Sequence, residues 1–212
     1  MMTVRTLARL CVAGGVIGAA GGLVTAFVPA AVGADRFSYP YTPGWFVVAQ
    51  TIFLVSHVLV LAGVLGVLRA GVAGRGRLAA WGGAVSVAGL VILSLCEVAA
   101  MFLLHASMSS GTAGALNAGY GLAALLTGTG PVLLGSAVAR AGAWHGWRRW
   151  ILLACGVQLL AAIPAIAGPF LAGRLALTVW ATLYIALGVA PSRPAAIVPA
   201  RTAPALIDQE LP

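Results

Sequence analysis

A chain of 212 residues with 8% charged and 61% hydrophobic residues, and a mean hydropathy of +1.05, excludes a soluble globular domain. Such a domain has about a quarter of its residues charged, enough to cover a water-facing surface. The net charge of +8 does not indicate nucleic acid, because its cations stand in short clusters between long apolar runs rather than along one basic face.

Six apolar runs follow in chain order, at residues 7–28, 45–68, 78–104, 116–138, 151–167 and 171–190. A helix rising 1.5 Å per residue crosses a hydrocarbon core of about 30 Å in roughly 20 residues. Lipid offers the backbone no hydrogen-bond partner, so the spans must be helices or a closed barrel. No run alternates with a period of two, which removes the barrel. The expected fold is therefore all-α: one polytopic transmembrane bundle over residues 1–190. Residues 191–212, with five prolines and the acids Asp208 and Glu210, read as a disordered cytoplasmic tail.

The arginines set the orientation. Arg5, Arg9, Arg69, Arg75, Arg77, Arg140, Arg148, Arg149, Arg193 and Arg201 fall on one side of a six-span topology, and only Arg36 and Arg174 on the other. The positive-inside rule then places both termini in the cytoplasm, in a bacterial cytoplasmic membrane. Trp81, Trp144, Trp147 and Trp150 mark the inner boundary, and Tyr39, Tyr41 and Trp45 the outer one. All twelve cations are Arg, and with the Ala and Gly content this points to a GC-rich genome such as an actinobacterial one. Arg5 and Arg9 before an apolar stretch also fit a signal peptide cleaved after Ala34, but the run of about 22 residues exceeds the usual 7 to 15.

Glycines indicate packing. Gly14, Gly18 and Gly22 recur every four residues and let another helix approach closely. Gly114, Gly121, Gly128 and Gly135 recur every seven, the period of one seam of a left-handed helix pair. Both series fit packing within the bundle, or a contact with a second copy or another membrane protein.

Glu97 is the only acid inside an apolar run, and an intramembrane ionisable residue marks a functional candidate. Helical spacing puts Ser94 below it and His105 above it on one face of the third span. Gln50, Asn117 and Tyr120 enter neighbouring spans at comparable depth and are its expected hydrogen-bond partners. His57 shares the Gln50 face but lies about 8 Å deeper than Glu97, so that direct pairing needs tilt or a water. The plain alternative for Glu97 is a neutral, hydrogen-bonded carboxylic acid, and for His57 a packing residue.

Three scattered His and three scattered Cys give no metal-ligand spacing, and no cofactor motif appears. A bis-His haem needs two ligands at one depth, and Gly135-Ser136-Ala137 lacks the rhomboid-type serine motif. No catalytic signature is present, so an enzyme is not expected. The Trp144–Trp150 segment, containing His145, reads as a basic-aromatic anchor on anionic lipid.

Trp45 leading the second span, His57 within it, Arg69 ending it, Arg77-Leu78 opening the third and the Trp/Arg segment opening the fifth resemble uncharacterised six-helix membrane proteins of actinobacteria. The resemblance spans most of residues 7–190 and implies a six-helix bundle with no established activity. The loop departs from the Pro-Arg-Trp form associated with that family. The leading expectation is an accessory or interaction protein of the membrane, contacting lipids and a second copy or another membrane protein. The alternatives are a small transporter or proton-coupled carrier that titrates Glu97, and an intramembrane enzyme built on the His-Glu stripe.

Overall fold

In a computed structural model, residues 2–192 are described, and they form six α-helices. These are α1 (Val4–Ala26), α2 (Pro43–Ala70), α3 (Arg77–Met101), α4 (Gly111–Ala141), α5 (Arg148–Ile166) and α6 (Phe170–Val189), followed by a single 3-10 turn at Ala190–Ser192. Local chemistry sets the boundaries. The hydroxyls of Thr3, Thr42 and Ser110 accept from the backbone N–H of Thr6, Trp45 and Ala113, satisfying first-turn donors that have no helical partner. Gly71 and Gly142 end α2 and α4 in the left-handed conformation at φ 66° and 68°, where a Cβ would be strained. The expected tail lies outside the described residues, apart from the turn at its start.

All six helices are long and apolar enough to cross a membrane. Each turns apolar side chains outward, among them Val16, Val55, Leu95, Leu125, Val157 and Val179, all at least 40% exposed. A water-soluble bundle would carry polar residues there. The chain is a multi-pass integral membrane protein.

Sequential helices pack side by side, and α1 closes on α6, so the six form an up-and-down ring with α3 opposite α6. The α1 glycines are spent on this closure. A methyl on Gly14 would meet Leu59 and the Ser56 carbonyl of α2, one on Gly18 would meet Ser56 of α2 and Ala181 of α6, and one on Gly22 would meet Thr178 of α6. Polar links join the same surfaces: Ser56 Oγ donates to the Gly14 carbonyl at 2.8 Å, and Cys11 Sγ to the Tyr184 carbonyl at 3.2 Å. Gln158 Nε2 donates to the Ala176 carbonyl at 3.0 Å and ties α5 to α6.

The period-seven glycines of α4 do not form one seam. Gly128 and Gly135 lie against Leu160 and Leu153 of α5, whereas Gly114 and Gly121 meet nothing. The tightest α3–α4 approach uses other glycines, with Gly82 against Leu134, Gly89 against Thr127 and Gly130 against Ser86.

The helix boundaries lie within five residues of those expected, and two of the shifts change the reading. α4 begins at Gly111, because Ser110 caps a run of small residues that hydropathy alone leaves outside the span. α3 stops at Met101, and residues 102–110 turn to pair with the α1–α2 loop: Phe37 N donates to the Ala106 carbonyl at 3.0 Å and Met108 N to the Asp35 carbonyl at 2.7 Å. These loops share one end of the ring. The α2–α3 and α4–α5 loops and both described chain ends occupy the other, with eight of the ten clustered arginines. Trp81, Trp147 and Trp150 are exposed at that end, while Trp144 is buried in the core instead of serving as an anchor.

Candidate functional site

The larger cluster of buried apolar residues lies mainly in the half of the ring nearest the arginine-rich end, and Cys11, Val60, Leu90, Leu134 and Leu152 in it are fully buried. Toward the other end the helices enclose a cavity of about 410 Å³ with lining residues from every helix. The α1–α2 loop and Met108 cover part of it.

One face of α2 supplies Phe46, Gln50, Phe53 and His57 at helical spacing. Glu97 enters from α3, Asn117 and Tyr120 from α4, and Arg174 and Trp180 from α6. A chain of hydrogen bonds crosses three helices: Gln50 Nε2 donates to the Tyr120 hydroxyl at 3.3 Å, and that hydroxyl donates to Glu97 Oε2 at 3.3 Å. The other carboxylate oxygen, Oε1, stands 3.6 Å from His57 Nδ1. That gap is just beyond a hydrogen bond, and His57 Nδ1 is buried without a partner. Glu97 is 5% exposed and His57 8%, so water does little to screen the pair. The imidazole is held between the Phe53 ring, stacked at 6.5 Å, and the Trp180 ring at 5.8 Å.

The sequence-derived candidates divide cleanly. Glu97, His57, Gln50 and Tyr120 come together, and Asn117 lines the same cavity without joining the bonded chain. His57 Nδ1 comes within 3.6 Å of Glu97 Oε1, short of a hydrogen bond but closer than the depth difference of an upright bundle would allow. Ser94 instead turns its hydroxyl back to the Leu90 carbonyl of its own helix at 2.9 Å, a local bond open to any helical serine. His105 does not share the Glu97 face, since α3 ends four residues before it. Its side chain is exposed in the loop and its carbonyl accepts from Arg36 at 3.4 Å.

The residue that sequence reasoning missed is Arg174. It counted as one of two cations on the sparsely charged side, yet it falls inside the sixth apolar run, where a cation is as unusual as Glu97 is in the third. In the structure it lies one turn into α6, half-buried among aromatic rings, with its guanidinium carbon 4.9 Å from the Phe53 centroid, 5.1 Å from Phe170 and 5.9 Å from Tyr41. Arg36 lines the cavity as well. The two arginines that stand apart from the clustered ten are thus the two at the cavity. Glu97 and Arg174 stand on opposite members of the ring, and among the described residues no direct ion pair joins them.

Fold and site define an integral membrane bundle with an internal cavity that carries an acid, an imidazole and a guanidinium. The chain matches no known protein family, and no characterised protein or solved structure matches it at a significant level.

Proposed function

We propose that the protein is a small proton-coupled carrier of a bacterial cytoplasmic membrane, with both termini in the cytoplasm and the cavity opening toward the outer side. The observation that carries this reading is the cavity between the helices, lined from all six, with the one acid of the described helices on its wall. A carrier needs a site near the bundle axis that can be reached from one side at a time, and a group whose charge changes with cargo or proton. Glu97 is that group, and His57 at 3.6 Å is the neighbour with which it exchanges the proton. The other polar groups around it are Tyr120 from α4, Gln50 from α2, Cys96 beside it on α3 and Arg174 across the cavity.

The interaction-protein reading drew on glycine seams, short loops and little polar chemistry; most of those glycines pack against the protein's own helices, and the cavity gathers the polar groups in one place. The enzyme reading drew on a His105–Glu97 pair, and His105 lies away from the cavity in an exposed loop. Descent from the actinobacterial six-helix proteins remains part of the proposal, resting on the short motifs around Trp45, His57 and Arg77.

The test is Glu97→Gln, which keeps the shape of the side chain and removes its proton chemistry. Purified protein in proteoliposomes with a trapped pH dye should move protons under an imposed potential or pH gradient, and the variant should not. Flux unchanged by the substitution removes Glu97 from the mechanism and the carrier reading with it.

A further inference from the structure

The cavity has more hydrogen-bond donors than the protein uses. Glu97, its one carboxylate, is engaged by Tyr120 and approached by His57. Arg174 presents five N–H donors, yet its close contacts are ring faces; the attraction between it and Glu97 acts across the cavity, and among the described residues no carboxylate lies within ion-pair distance of it. Trp180, only 3% exposed, lines the same cavity with its indole N–H buried and unpartnered. Arg36 adds a second positive charge nearer the loops. α6 begins at Phe170 without a side-chain cap, so the positive end of its dipole adds to the field around Arg174. A guanidinium held this way in low dielectric is stabilised most by an oxyanion that accepts two parallel N–H bonds. The remaining wall is apolar and aromatic, with Phe37, Phe46, Leu93, Leu177 and Ile166 among its residues.

We infer that the cavity binds an organic anion, an oxyanion group carried on an apolar body, with Arg174 holding the oxyanion and the aromatic wall holding the body. This rests on the carrier reading for its physiological sense and names the class of cargo. The binding itself requires no transport. The same chemistry is offered by a free hydrophobic carboxylic acid and by the headgroup and chains of an anionic phospholipid.

The experiment uses the full-length chain in phosphatidylcholine nanodiscs and a fluorescent eleven-carbon carboxylic acid, with its methyl ester as the uncharged control. The acid should bind saturably and the ester about tenfold or more weaker, as for loss of a charged hydrogen-bonded pair. Arg174→Gln should weaken the acid by a similar factor, and Arg174→Lys should recover part of it by charge alone. Glu97→Gln should tighten acid binding, because it removes a negative charge facing the ligand, and weaker binding in this variant would count against an anionic ligand at this site. Displacement of the acid by phosphatidylglycerol added to the discs identifies the lipid as occupant, and retention of binding identifies a free acid. Equal affinity for acid and ester overturns the inference, as does full acid affinity in Arg174→Gln. If Arg174→Gln does not yield folded protein, the acid–ester comparison on the unaltered chain still decides. A protein that binds the acid but moves no protons overturns the carrier reading and leaves this one standing.

Discussion

Gly121 and Gly135 lie two heptads apart on one edge of α4, yet substituting each by Ala should change stability in opposite directions. A methyl at Gly135 would meet the α5 backbone, with Leu153 Cα 2.7 Å away and the Leu152 carbonyl carbon 3.0 Å away. Carbon atoms pack at about 3.5–4.0 Å, so a backbone must move by roughly 1 Å to admit it. Overpacking of this kind costs about 1–3 kcal/mol, against a helix-propensity gain of about 0.5–1 kcal/mol for Gly→Ala. The net is a loss on the order of 1–2 kcal/mol. A methyl at Gly121 meets nothing within 4 Å, so only the propensity gain remains. The two variants should therefore differ by about 2 kcal/mol, or roughly 4–8 °C in melting temperature for a chain of this size. Cys11, Cys96 and Cys155 are all buried and free, so a thiol-reactive dye in detergent reads the melt directly. Equal destabilisation by both substitutions would refute the reasoning, because it would mean that Gly121 is covered by a second copy or another chain. A neutral Gly135→Ala would refute the close α4–α5 approach.

Two other expectations follow from the same geometry. Tyr120→Phe deletes the hydroxyl that both accepts from Gln50 and donates to Glu97, leaving two buried polar groups without that partner. The cost should be about 1–3 kcal/mol in the same melting assay, and a neutral result would show that water takes over both bonds. Reporter fusions in the 71–76 and 142–147 loops should report the cytoplasm and one in the 27–42 loop the outside. The reverse pattern would invert the proposed orientation.

The spans and their number were legible in the sequence because lipid leaves the backbone no choice but the helix, and hydrophobic length then counts crossings. Glu97 was legible for a related reason, since an acid in an apolar run has a solvation cost that demands partners. Of the three partners named from depth, Tyr120 bonds Glu97, Gln50 bonds Tyr120 rather than the acid, and Asn117 lines the cavity outside the bonded chain. The limits lay where the chain leaves the helix or where helices meet. Hydropathy carried α3 on to Leu104 and so placed His105 on the Glu97 face, whereas the end of α3 is decided by loop pairing across Phe37 and Ala106. A seven-residue repeat predicted one seam along α4, but only a neighbour at a given height can fill a glycine, and α5 approaches Gly128 and Gly135 alone.

What the chain determined by itself is the solvent of each segment, since hydrophobicity and charge are properties of a residue and its near neighbours. Which polar groups meet was decided by ring closure. α1 packing against α6 brings α6 round to face α3, placing Arg174 across a cavity from Glu97, 77 positions away in the sequence. Periodicity along one helix contains no information about its angular position in a ring, and so an arginine that counted only as one of two cations on the sparsely charged side lines the same cavity as Glu97.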